Sequence, residues 1–180
     1  SISARYSLHD LQAERRTSLT LNIRRRLALA FFLVFVIDYL SKFLVLNFLT
    51  SPSRKIIGSF LTLSLSRNTG AAFGLGSNNG RAISIFAFAV IATIFYVGFR
   101  IDSNVWAFAF GALAGGISGN LSDRIFRGTG GLNGSVVDWI KLPHWPTFNL
   151  ADLAITTSLF LIALLLWRKV PLNSQRWRNG

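Results

Sequence analysis

Two aspartates, Asp138 and Asp152, stand in the stretch GSVVDWIKLPHWPTFNLADLAI, residues 134–155. Their neighbours are Val, Trp, Ile, Phe and Leu, and the second opens a long apolar run. A carboxylate in such company is expensive unless a partner or a reaction holds it there. Lys141 follows Asp138 by three positions, but in a strand that spacing points the two side chains to opposite faces. Asp152 has no cation within ten residues on either side. Two such carboxylates brought together cannot both stay ionised, so one keeps a proton. The pair then offers one acid and one base at neutral pH, which suits activation of water against an amide. The alternative is two separate interfacial aspartates that accept hydrogen bonds from helix or turn amides.

Five other acids are present, against nineteen Lys and Arg, for a net charge of +12. Asp10 and Glu14 lie in a basic arm and Asp102 in a turn. Asp38 has Lys42 one helical turn later, a spacing that suits a neutralised pair holding helices in register. Asp123 precedes Arg124, with Asn120 one turn before it, and suits a polar cluster that pins a loop end. Ionisable groups within or beside apolar spans are candidates for function by default. With no cysteine, the chain has no disulfide framework, thiolate metal site or cysteine nucleophile. His9 and His144 are too few and too far apart for a histidine metal site, and no cofactor is expected.

The elements that must position these acids are apolar and long. Half of the 180 residues are hydrophobic and only 14% are charged, which marks a membrane protein with basic flanks. Spans are expected at 27–49, 82–99, 104–121 and 149–167. The third is Gly-rich, and Gly111, Gly115 and Gly119 form a smooth stripe for close helix packing. Residues 1–26 form a basic arm, disordered or a surface amphipathic helix. Residues 27–170 form the membrane domain and 171–180 a basic tail. The two ends and the 100–103 turn hold eleven Lys and Arg, and the opposite loops seven. That bias places both termini in the cytoplasm.

The two opposite loops carry strand signals. FLTLSLS, 60–66, alternates with a period of two, and SVVDWIKL, 135–142, is rich in Val, Ile and Trp. They are expected to pair into a small sheet on the outer membrane surface. RNTG, 67–70, predicts a turn formed by Asn68 and Gly70, and Asn149 a cap for the fourth helix. The fold class is therefore a mainly α membrane protein: four transmembrane helices with a small β-sheet and a loop or short helix on the outer face. GLGSNNG, 74–80, has the wrong spacing for a dinucleotide loop. Nucleic acid is not an expected partner, because no nucleic-acid motif accompanies the charge; anionic lipid headgroups are.

Five motifs in order resemble the lipoprotein signal peptidase (signal peptidase II) family. They are DYLSK (38–42), RNTGAAFG (67–74), GGISGNLSDR (115–124), VVDWI (136–140) and FNLAD (148–152). The resemblance implies an aspartyl membrane endopeptidase that removes the signal peptide from prolipoproteins just before the lipid-modified cysteine. It implies that Asp138 and Asp152 are the catalytic dyad. Asn68, Gly70, Asn120, Asp123, Arg124 and Asn149 would shape the site and contact substrate, and Asp38 with Lys42 would form a structural pair. It further implies inhibition by globomycin-type compounds, no metal, a monomer, and a site near the outer face of the bacterial cytoplasmic (inner) membrane. Two other classes compete. A small proton- or ion-coupled transporter or channel subunit would spread its acids across membrane depth. In a membrane scaffold no single aspartate would matter for activity.

Overall fold

A computed structural model describes residues 8–49, 53–70, 79–127 and 131–173. The elements run α1 (Leu8–Phe48), β1 (Ser53–Ile57), β2 (Leu61–Asn68), α2 (Gly80–Gly98), α3 (Asn104–Phe126), β3 (Val136–Lys141) and α4 (Leu150–Trp167). Three helical segments are long and apolar enough to cross a membrane: Leu21–Phe48, Gly80–Gly98 and Leu150–Trp167. Their outer surfaces carry Phe32, Leu33, Phe86, Phe160 and Leu166, all exposed, as lipid-facing side chains should be. The helix is unbroken across residues 26 and 27, so the basic arm is helical from Leu8 and continuous with the first span.

The third expected span falls short of the hydropathy of the other three for a physical reason. α3 faces protein rather than lipid: Trp106, Ala107, Ala109, Ala112 and Ala114 are buried along it. It packs against α1, α2 and α4. Its glycines let the neighbouring backbones approach. A Cβ on Gly111 would strike the Leu27 carbonyl of α1, and one on Gly115 would lie 2.6 Å from the Phe31 carbonyl. Gly116 makes the same allowance for the Ala151 carbonyl of α4, at 2.8 Å. Carbonyls of a neighbouring helix cannot rotate away, so Gly115→Leu is expected to destabilise the bundle by ~1–3 kcal/mol. Thermal unfolding in detergent checks this beside Gly131→Ala, where the added Cβ meets nothing.

The expected strands form and pair directly. β2 is antiparallel to β3, with Ser66 opposite Asp138 and Thr62 opposite Lys141. An additional strand, β1, completes the order β1-β2-β3. Its sequence, SRKII, lacks alternation because every residue in it is exposed, so no buried face imposes a period of two. Gly58, at φ +50°, turns β1 into β2. The turn expected at 67–70 is present: Asn68 Oδ1 accepts from the Gly70 N–H at 2.9 Å. The AAFG end of that motif, most of 74–80, and 128–130 lie outside the described residues. Among the described residues no short helix accompanies the sheet. After β3 the chain folds back, with Phe148 exchanging hydrogen bonds with Ile140, and this return delivers Asn149 beside Asp138.

Candidate active site

α4 begins at the site. Asn149 is its N-cap: its Oδ1 accepts from the Asp152 N–H at 2.9 Å, and Asp152 Oδ2 accepts in return from the Asn149 N–H at 3.2 Å. This capping box satisfies helix-end donors that would otherwise be orphaned. The next free donor, the Ala151 N–H, is taken by Asp38 Oδ1 from α1 at 2.9 Å. Asp152 thus caps an amide, as its separate-aspartate reading required, yet it is also joined to Asp138.

The joint is made of amides. With its Oδ1 committed to the helix end, Asn149 must turn its Nδ2 the other way. That nitrogen donates to Asp138 Oδ1 at 2.6 Å and to Asn120 Oδ1 at 3.1 Å. Asn120 Oδ1 also accepts from Lys42 Nζ at 3.0 Å. A lysine ammonium can only donate, so Asn120 presents its oxygen there and its Nδ2 to Asp152 Oδ1, at 2.8 Å. Both oxygens of Asp152 therefore accept an N–H, and each amide has its orientation set by a neighbour of known polarity.

Lys42 holds the base of this network. It is 1% exposed and lies 2.7 Å from Asp38 Oδ2 and 2.9 Å from Asp123 Oδ2. Asp123 Oδ2 also accepts from the Val137 N–H of β3 at 3.1 Å, and its Oδ1 pairs with Arg127 Nε at 2.6 Å. Asp123 thus pins β3 to α3, and both of its oxygens are taken up in that task. Arg124 donates to the carbonyls of Thr69 (3.3 Å), Gly134 (3.3 Å) and Gly70. It ties the turn after β2 to the segment before β3. Gly119, the last residue of the glycine stripe, leaves room for the Asp38 carboxylate: a Cβ there would strike Asp38 Oδ2. That stripe serves the site as well as the packing.

Asp138 is 2% exposed. Burial is the main cause that pushes its carboxyl up to about 7, and the Asp152 charge adds to it. Hydrogen bonds from Asn149 and Asn68 and the Lys42 charge oppose the rise without cancelling it. The Lys42 charge, supplied from α1, is the weakest of these influences. Asp152 is only half-buried, at the wet end of α4.

All ten residues singled out from sequence lie at this end of the bundle. Among the described residues two contributors were not foreseen: Arg127, which pairs with Asp123, and Ser84. Ser84 of α2, fully buried, has its Oγ 2.6 Å from the Leu132 carbonyl and clamps the segment that leads into β3. The signal for it was a lone serine in an apolar span.

Comparison with known proteins agrees with this geometry. The family model described as "Signal peptidase (SPase) II" matches residues 30–168. A lipoprotein signal peptidase of Mycobacterium leprae is 38% identical over 133 residues, 73% of this chain and 66% of that protein. One from Streptomyces coelicolor is 41% identical over 149 residues, 81% of this chain and 73% of that protein. A solved structure described as "Bacterial membrane enzyme structure by the in meso method at 2.3 A resolution" superposes with a TM-score of 0.70. It is 26% identical and covers 78% of this chain and 86% of its own. An acid pair at one end of a multi-pass helical bundle, in a chain that matches these proteins over most of its length, has one family explanation: the chain belongs to the signal peptidase II family, the membrane aspartic peptidases that remove signal peptides from prolipoproteins.

Proposed function

We propose that Asp138 and Asp152 are the catalytic dyad, with Asp138 as the acid and Asp152 as the base. The observation that carries this is the contrast between the two carboxyls. Both carboxyls accept N–H donors, but Asp152 is half-buried, whereas Asp138 is 2% exposed and its burial shifts it to about 7 in spite of those donors. The shared proton resides on Asp138. A water between the two attacks the scissile carbonyl carbon while Asp152 takes its proton and Asp138 protonates the carbonyl oxygen. The neutral tetrahedral diol then collapses. Asp152 gives its proton to the leaving amine, the C–N bond breaks, and Asp138 regains a proton from a hydroxyl. Both carboxyls return to their starting states.

The substrate in this reading is a prolipoprotein cut just before its diacylglyceryl-modified cysteine, with the apolar signal helix held among the spans. The site faces the outside of the bacterial cytoplasmic membrane with both termini inside, and the enzyme acts as a monomer. Globomycin-type inhibitors would occupy the space between the carboxyls. The gathering of Asp38, Asp123, Asp138 and Asp152 into one network favours peptidase over transporter, whose relay would need acids at several depths.

The test is kcat/KM against pH for a diacylglyceryl-modified prolipoprotein and for the same precursor with an unmodified cysteine. Asp138 must carry a proton to act, and above about 7 its protonated fraction falls about tenfold per pH unit. Cleavage of the modified precursor is expected to decline with that slope above pH 7. A flat profile from pH 6 to pH 9 would remove Asp138 as the acid. Equal cleavage of both precursors would remove the lipid from the substrate definition.

A further inference from the structure

Three strands place a row of polar side chains on one face of the sheet. Lys55 pairs with Thr62, and Thr62 pairs with Lys141. Paired residues of antiparallel strands share a face, at about 5 Å per strand. Two ammonium groups therefore flank one hydroxyl. Alternation along β3 turns this row away from Asp138. Neither lysine makes an ion pair among the described residues. Arg54 and Arg67 add to the positive charge of the sheet, and Asp138, the one acid of the three strands, is buried and committed elsewhere.

Thr62 and Lys141 of the row line a cavity of about 310 Å³ with Ser59, Pro143, His144 and Trp145, and Lys55 reaches its edge from the strand beside Thr62. That space would hold roughly ten waters, more than a single small anion needs. Beside it, Ile57 at the end of β1 and Phe60 in the turn that follows are 59% and 63% exposed, and Trp145 is 56% exposed. Exposed Ile and Phe beside a basic cleft, with Trp at its rim, match the chemistry of a membrane interface: acyl chains below, charged headgroups level with the lysines.

We infer that this face of the sheet binds the headgroup of an anionic phospholipid, with Lys55 and Lys141 on the phosphate, Thr62 between them, and Ile57 and Phe60 among the acyl chains. The site is separate from the aspartates and holds the sheet, and so β3, at a set height on the membrane. A bound phosphate would also relieve the repulsion along the row.

The experiment is native mass spectrometry of the full chain released from nanodiscs of equal phosphatidylglycerol and phosphatidylcholine. Wild type is expected to retain phosphatidylglycerol at least about fivefold over phosphatidylcholine. Lys55→Gln with Lys141→Gln is expected to lower that preference at least about fivefold, to what the basic flanks alone retain, and Lys55→Arg with Lys141→Arg to keep it. Lys169→Gln, beyond the far end of α4, should change nothing. Cleavage of detergent-solubilised precursor reports folding of each variant, since neither lysine touches the acid pair. No preference in the wild type, or a preference unchanged in the Gln variant, would overturn the site. Competition by soluble glycerol phosphate at the same concentration as the lipid would make it a phosphate-ester site without a lipid requirement, which also overturns the assignment.

Discussion

Asp138→Asn and Asp152→Asn each lower kcat/KM for diacylglyceryl-modified precursor by about 10³-fold or more, in protein that remains folded. Removal of a positioned acid or base is worth ~10²–10⁴-fold, and in the proposed mechanism each carboxyl serves in both halves of the reaction. The two variants are expected to differ in stability, which separates them. The Asp138 carboxyl lies at about 7 when folded, against 3.8 as its ordinary value. Between those values the folded protein binds more protons than the unfolded chain, so stability falls as pH rises from about 4 to about 7 and is level above. At ~1.4 kcal/mol per pH unit the ionised form costs on the order of 4 kcal/mol. Asp138→Asn removes that slope while keeping an oxygen for Asn149, so it should match or exceed wild-type stability at pH 8. Asp152→Asn keeps one acceptor oxygen for two N–H donors, Asn149 and Asn120, and should cost ~0.5–2 kcal/mol. Thermal unfolding at pH 5 and pH 8 beside the cleavage assay checks both. Wild-type cleavage by either variant would take that residue out of the chemistry.

Lys42→Met is expected to be the most destabilising single change at the site. It leaves Asp38 and Asp123, each 1% exposed, without their shared cation. Breaking a buried ion pair by removing one partner typically costs ~3–5 kcal/mol; here Asp38 loses its cation, and Asp123 keeps only Arg127. The triple variant Lys42→Met, Asp38→Asn, Asp123→Asn removes the buried charges and should recover much of the lost stability. It should not recover activity to the same degree. Asn120 would lose the nearer of the two donors that fix its amide, which loosens the N–H it gives to Asp152. A midpoint for Lys42→Met within about 2 °C of wild type would show that Lys42 is not the support described. Full activity in the triple variant would remove Asn120 orientation from the account.

By itself, the sequence determined much of the fold and the identity of the acids. Long apolar runs select helices wherever the backbone must satisfy itself in lipid. The period of two in 60–66 and the β-branched residues of 135–142 select strands, and Asn149 selects a helix start. These signals are local, so they can be read one segment at a time. β1 escaped because it buries no face. The depressed hydropathy of α3 reflected its central position.

What only the tertiary structure decided is how charges from distant segments are shared. Asp38 reads as the partner of Lys42 alone, but Lys42 also serves Asp123 and Asn120 of α3, and Asp38 caps α4. Asp138 looks unneutralised along the chain, yet it feels Lys42 from another helix. The direction of each amide follows from contacts among α1, α3, β3 and α4. Electrostatic energies depend on distance in space and on burial, and neither is encoded in spacing along the chain.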